Sequence, residues 1–265
     1  RDIYEAVVFP QGASVEFPLH FLAPGTENDF VAYTNPGEGR IPEQAIEGDY
    51  VAVPTFPVAS SIDWPLRYAR DARWDIVTAA VRVLLAGFTK KINDDGWHTL
   101  LTAAADRNIL VYDADATAGE FTKRLVSLMK TVMRRQAGGN TASIRRGKLT
   151  DMYLSPEALE DIRNWGVDQV DDTTRREIFI SGDGSDSVTR IFQVNLHDLD
   201  EFGEGQEYQL FFTGDLGGSL GPSSDTELVI GCDLDSNDSF MMAIREEVRL
   251  FEDEALHRLQ RAGWY

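Results

Sequence analysis

Residues Arg73 to Asp94 read RWDIVTAAVRVLLAGFTKKIND, with apolar side chains at Trp74, Val77, Val81, Leu84, Leu85, Phe88 and Ile92. The steps are mostly threes and fours, which places these side chains in one stripe on an α-helix. Asp71 occupies the N-cap position and Asp75 the first turn, where the helix dipole favours negative charge. Thr78, Arg82, Thr89, Lys90 and Asn93 take the other face. The pattern continues through Trp97, Leu100, Leu101 and Ala104 until Asp106-Arg107-Asn108 stops it. Unbroken, residues 71–105 would span ~50 Å at ~1.5 Å per residue, long for a globular helix. At ~100° per residue, the second apolar group points well away from the first. Either Gly96 kinks the helix, or its halves bury different faces against different partners. A very long helix serving more than one neighbour is a structural-protein trait.

The rest of the chain narrows the classes. Its 265 residues suffice for one large domain or two modest ones, and 43% hydrophobic content marks a folded protein. A net charge of −19 argues against tight, nonspecific binding of nucleic acid through phosphates. Cys232 is the only cysteine, which excludes an intramolecular disulfide and a Cys-rich zinc site; beside Val229 and Ile230 it reads as core. No apolar run reaches the length of a membrane span, and no signal peptide is recognised. Arg1 stands where a Met would start a chain, pointing to processing or a partial sequence.

Along the chain, residues 1–57 hold seven of the ten prolines together with Gly12, Gly25, Gly37, Gly39 and Gly48. Extended pieces are expected at Val15–Leu22, Phe30–Tyr33 and Tyr50–Val53, and prolines confine such strands to edges or a free-standing hairpin. Glu27, Asp29, Glu38, Glu43, Glu47 and Asp49 make the stretch acidic. An irregular loop is the plain reading; an arm lying on another molecule fits better, since long functionless loops are uncommon. Glu120–Arg135 reads as a second amphipathic helix, ended by Gly138-Gly139-Asn140. Lys148–Leu154 alternates as a strand, and Ser155-Pro156-Glu157 starts a short helix running to Trp165. Strands are then expected at Glu177–Ile180 and Val188–Val194 around a Gly182-Asp183-Gly184-Ser185 turn, and at Tyr208–Phe212, Glu227–Cys232 and Phe240–Leu250.

No motif establishes catalysis. Gly217-Gly218-Ser219-Leu220-Gly221 has the letters of a serine-hydrolase elbow, but that mechanism needs a helix directly after the serine. Pro222-Ser223-Ser224-Asp225 follows instead, so a glycine-rich loop fits better. Asp233, Asp235, Asn237 and Asp238 resemble the start of a calcium loop, yet the sixth and twelfth positions hold Asp238 and Ile244 instead of Gly and Glu. An acidic turn at 233–238 is the expectation. His20, His98, His197 and His257 have no metal-ligand spacing. Catalytic, cofactor-binding and metal residues are therefore expected to be none. Lys123, Arg124, Lys130, Arg134, Arg135, Arg145, Arg146 and Lys148 concentrate positive charge. They could meet nucleic acid or the acidic face of an identical neighbour, and the acidic total favours the neighbour.

The order of these elements resembles a tailed-phage major capsid protein of the Hong Kong 97-type fold. The features are the arm before Ser61-Ile62-Asp63-Trp64-Pro65 and the long helix, the Asp151–Ala158 strand and capped helix, and Glu227–Leu234 with the strand Phe240–Leu250. Arg258–Tyr265 looks like the approach to a last strand that this chain lacks. The resemblance implies an α+β fold with an N-terminal arm and extended loop (1–57), a peripheral domain with the spine helix (58–117), an apical domain (118–238) and a return to the peripheral domain (239–265). It also implies a non-enzymatic subunit forming hexamers and pentamers in an icosahedral shell. That shell would lie in the virion, be assembled in the bacterial cytoplasm, and enclose double-stranded DNA without sequence-specific contacts. Scaffolding, portal and decoration or cement proteins would be its partners, with no membrane and no cofactor. Some members join subunits through a loop lysine; here the first lysine is Lys90, on the long helix. An encapsulin-type nanocompartment shares the fold and is the alternative, with a hydrolase using Ser219 a distant third.

Overall fold

A computed structural model describes residues 3–10, 12–20, 48–70, 74–106, 111, 119–136, 147–166, 170, 189–216, 227–235, 240–245, 249 and 261–264. This α+β chain runs through β1 (Glu5–Val8), β2 (Glu16–His20), β3 (Gly48–Ala52), β4 (Ile62–Pro65), α1 (Leu66–Arg70), α2 (Trp74–Asp106) and α3 (Lys123–Gln136). It continues with β5 (Asp151–Leu154), α4 (Pro156–Asn164), β6 (Thr189–Ile191), β7 (Val194–Asp198), a 3-10 turn (Asp200–Phe202) and α5 (Glu207–Leu210). A π turn (Phe211–Asp215), β8 (Val229–Cys232), β9 (Met241–Ile244) and β10 (Arg261–Trp264) complete it. Two compact units divide the chain: one of Arg1, Pro18–Asp49 and Leu101–Phe240, the other of Asp2–Phe17, Tyr50–Leu100 and Met241–Tyr265.

The first unit is built on a four-stranded sheet of order β6-β7-β5-β8, with β5 and β7 parallel and the outer pairs antiparallel. One set of alternating side chains, Met152 and Leu154 on β5 with Val194 and Leu196 on β7, is buried. They join Val126 and Met129 of α3 and Ala158, Leu159 and Ile162 of α4 in one core. Each of these side chains larger than Ala158 contributes ~1.5–3 kcal/mol by leaving water. The α4 start is as the sequence predicts: Ser155 is the N-cap, its Oγ accepting from the Ala158 N–H at 3.1 Å, with Pro156 next. Trp165 Nε1 donates to the Phe121 carbonyl at 2.7 Å, and Asp161 Oδ2 accepts from the Phe121 N–H at 2.8 Å, fixing the α3 entry to α4. Gly231 lies where a Cβ would come within 2.5 Å of Leu149 Cδ1 and 2.8 Å of Met129 Cε, so β8 approaches the core closely only because it is glycine there.

Among the described residues the second unit has two-stranded pairs: β1 with β9 in parallel, and β4 with β10 antiparallel. β2 pairs with β3. The 33-residue α2 is continuous through Gly96. Gly96 is buried because Tyr4 lies on it: a Cβ there would stand 3.0 Å from the ring, and the Tyr4 hydroxyl donates to the Gly96 carbonyl at 2.7 Å. The helix halves differ in burial. Trp97, Leu101 and Ala105, at successive steps of four, are buried, while Leu84 is the one buried hydrophobic among the described side chains of Asp75–Ile92.

Four expectations are corrected. Tyr208–Phe212 is helical, not a strand: Tyr208 and Phe212 are buried while Leu210 is exposed, so a period of four replaces a period of two. The expected strand Val188–Val194 is cut by a hairpin at Phe192 and Gln193, with φ of 49° and 67°. Of the expected strand Phe240–Leu250, β9 covers Met241–Ile244 and ends before Arg245, which donates to the Ala13 carbonyl and the Thr55 hydroxyl, while 246–248 and 250 lie outside the described residues. The chain also has a last strand after all: Arg261–Trp264 pairs with Ile62–Pro65 directly before the helices. The Asp71 cap, Phe30–Tyr33, Glu177–Ile180 and the 182–185 turn lie outside the described residues.

Candidate functional site

On the face of the β5 sheet opposite Met152 and Leu154, polar side chains alternate in register. Asp151 faces Asn195 on β7 and Cys232 on β8, and Tyr153 faces His197. Asp151 is fully buried, and its Oδ1 accepts from Asn195 Nδ2 at 3.0 Å and meets His197 Nε2 at 2.9 Å. A carboxylate only accepts, so His197 carries its proton on Nε2 toward Asp151. Burial pushes the Asp151 carboxyl up, but hydrogen bonds from His197, Thr150 and Asn195 outweigh it and hold the group below its ordinary value. The His197 ring stacks on Tyr153, with centroids 4.7 Å apart. Burial, then the Asp151 and Asp233 charges, push the Cys232 thiol up to about 12. A thiol so firmly protonated is no nucleophile at neutral pH. Asp151, Asn195 and His197 therefore form a polar clamp across β5 and β7, with Cys232 paired to Asp151 on β8.

The acidic turn after β8 is used internally too. Asp233 Oδ2 accepts from the Lys148 N–H at 2.9 Å and Oδ1 from the Asp235 N–H at 3.2 Å, while Thr150 Oγ1 accepts from the Leu234 N–H at 2.9 Å. Asp233 thus folds the turn as an Asx cap. Asn237 and Asp238 lie outside the described residues, as do Ser219 and its glycine loop, His257, Arg145 and Arg146. Among the described residues no cluster of His, Cys, Asp and Glu has metal-holding geometry, and no helix is long and apolar enough to cross a membrane.

The basic group divides by role. Lys130 Nζ donates to the Phe192 carbonyl, and burial lowers its affinity for protons. Lys123 Nζ stands 5.5 Å from the Phe192 ring centroid. The two lysines brace a hairpin whose left-handed residues are not glycine, a strained choice costing ~1–3 kcal/mol per residue. Arg134 and Arg135 remain exposed on α3.

Much apolar surface of the second unit also faces solvent. Residues 50–61 are all exposed and carry no charge, and among them Tyr50 is 65% and Phe56 68% exposed. On α2, Val83 is 68% exposed, and Leu85 and Ile92 of the apolar stripe are exposed with it. Patches of this kind mark association sites in soluble proteins. β1, in a two-stranded parallel pair, is exposed at three of its four residues, whereas parallel strands are normally covered on both faces.

The architecture matches a chain of a solved structure described as "Capsid structure of the Cyanophage P-SCSP1u", with a TM-score of 0.52 over 99% of this chain and 80% of that one, at 12% identity. The fold is capsid-like. No protein-family model matches the chain, and no curated protein matches it in sequence. The polar clamp, the Phe192 hairpin and the Tyr4–Gly96 contact were not singled out from the sequence. The clamp left a signal there: polar residues alternate with apolar ones at Asp151, Tyr153, Asn195 and His197.

Proposed function

We propose that this chain is the major capsid protein of a tailed bacteriophage, with a shell fold of the Hong Kong 97 type. Capsid likeness over nearly the whole chain, and not over one module, carries this reading. In it the unit built on β5 is the apical domain, α2 is the spine helix of a peripheral domain closed by β4 and β10, and the segment up to Pro57 supplies the arm and extended loop. The boundaries 1–57, 58–117, 118–238 and 239–265 stand as the working division. Many copies form hexamers and pentamers of an icosahedral shell around double-stranded DNA, and no residue performs catalysis. The exposed strap 50–61 and the outer stripe of α2 support the reading as surfaces that neighbours cover. Scaffolding, portal and cement proteins, and assembly in the host cytoplasm before residence in the virion, belong to the same proposal.

Since the first lysine is Lys90, the extended loop offers no amine, and subunits are held noncovalently. Electron microscopy of purified protein tests the function directly: closed isometric shells of uniform size are expected. Boiled particles should run as monomer on a denaturing gel. Dispersed subunits under all conditions, with or without co-expressed neighbours of the gene, would overturn the reading.

A further inference from the structure

Three separate segments of the second unit meet at one exposed arginine. β1 and β9 pair with Val8 opposite Ile244, and the Phe9 N–H extends the ladder to the Ile244 carbonyl at 2.8 Å. Arg245 is the next residue after that bond. On the β1 side the chain turns back: the Ala13 N–H donates to the Pro10 carbonyl at 3.1 Å. Gly12 stands at the third position of this four-residue turn, with a φ of 84° that glycine alone takes without strain. Phe9 and Phe17 pack edge to face on either side of the turn, with ring centroids 5.4 Å apart. Arg245 Nη2 donates to the Ala13 carbonyl at 3.2 Å, and Nη1 to the Thr55 hydroxyl at 3.4 Å.

Thr55 lies in a stretch with little structure of its own. Residues 53–61 form no helix or strand, all are exposed, and none is charged. Pro54 and Pro57 bring no backbone donor. The Val53 N–H donates to the carbonyl of buried Val15 at 3.0 Å, which anchors the start of the strap, and the Arg245 bond takes hold two residues later. A guanidinium carries its donors in a rigid fork, so one nitrogen holds Ala13 while the other holds Thr55. Both acceptors are neutral, which makes the contact a geometric tie and not an ion pair. Its two acceptors are 232 and 190 residues away in the chain, so the tie exists only in the folded subunit.

Resting on the capsid reading, in which a neighbouring copy covers the strap, we propose that Arg245 is a positioning residue. It ties the strap to the 10–13 turn, so that the strap is already shaped when the neighbour arrives. Ordering a loose strap at the moment of contact would subtract its conformational entropy from association. A tie made within the subunit moves that loss to folding.

The test reads free subunits and assembly separately. In free subunits the Val53 amide reports opening of the strap, because its bond to Val15 breaks when the strap lifts. Arg245→Ala should speed Val53 exchange roughly two- to tenfold, the change expected from one net hydrogen bond, and leave the circular dichroism melt as in wild type. Arg245→Lys should behave like Arg245→Ala, since it keeps the charge and loses the fork. Thr55→Val should give part of the effect alone and add nothing on top of Arg245→Ala. By sedimentation, Arg245→Ala and Arg245→Lys should each raise the concentration needed for shells at least about threefold. Unchanged Val53 exchange in Arg245→Ala, wild-type behaviour of Arg245→Lys, or additive effects of the two substitutions would each overturn the tie. So would faster Val53 exchange with no change in shell formation. Faster exchange throughout the second unit with a lowered melt would make Arg245 a general support and overturn its positioning role. Wild-type shells with Val53 indifferent to Arg245 sink only the tie; a wild type that stays dispersed at every concentration sinks the capsid reading, and the strap's role in assembly with it.

Discussion

In the unit built on β5, Met152, Leu154, Ile162, Ile191 and Val194 are at most 1% exposed, whereas in the other unit Val8, Phe56 and Val83 are each more than 60% exposed. Each has apolar side chains to place. The first spends them on a helix-covered sheet with a single core; the second leaves them on paired strands, a charge-free strap and one side of a long helix. A two-stranded sheet is marginal in water without packing. The difference teaches where stability resides among the described residues: the first unit carries its own, and on the proposed capsid reading the second is completed by neighbouring copies.

The largest expected effect therefore falls in the first unit. Ile162→Ala removes a side chain from the centre of the core and should cost ~2–5 kcal/mol in urea unfolding. The matching truncation in the second, Leu85→Ala, should change subunit stability by less than ~0.5 kcal/mol while impairing assembly. Equal costs for the two would break the comparison.

Within the second unit, the Tyr4–Gly96 contact is the exception that sharpens it. Glycine to alanine in a helix normally stabilises by ~1 kcal/mol. Here Gly96→Ala should give no gain, because the new Cβ pushes Tyr4 from its seat, and Tyr4→Phe should cost ~0.5–1.5 kcal/mol through the lost hydroxyl donor. A full helix-propensity gain in Gly96→Ala would mean that the N-terminal strand is not held there.

Acid should act in two opposite steps, both in the first unit. Glu227 and Asp198 have folded values raised above the unfolded ones, so they oppose folding at neutral pH, and that opposition is relieved as pH falls through the raised values. Asp151 has a lowered folded value, so its contribution is present above the ordinary aspartate range and is lost as pH falls through the lowered value. Denaturant midpoints should rise slightly on mild acidification and then fall below the usual aspartate range. Glu227→Gln should diminish the rise and Asp151→Asn the fall. A monotonic loss from neutrality downward would contradict the assignment.

How far this was legible in the sequence follows the same division. Elements whose cause is local were readable: the long helix from its spacing, and α4 from Ser155-Pro156-Glu157. Elements caused by distant partners were not. Nothing near Phe192 announces a turn, because the lysines that brace it come from α3, some sixty residues earlier. Gly96 read as a possible kink because its reason, Tyr4, is 92 residues away. Tyr208–Phe212 was ambiguous in principle, since a spacing of four satisfies a strand and a helix alike. The basic residues read as one group, yet Lys123 and Lys130 are partly spent inside the subunit.

The central claim, that the second unit is finished by neighbouring copies, is tested most directly by amide hydrogen exchange on free subunits and on assembled particles. Residues 75–92 of α2 and 229–232 of β8 should diverge: the helix segment gains at least tenfold protection on assembly, while β8 is already protected in the free subunit and changes little. The same exchange rates for 75–92 in free subunits and in intact particles would contradict the account.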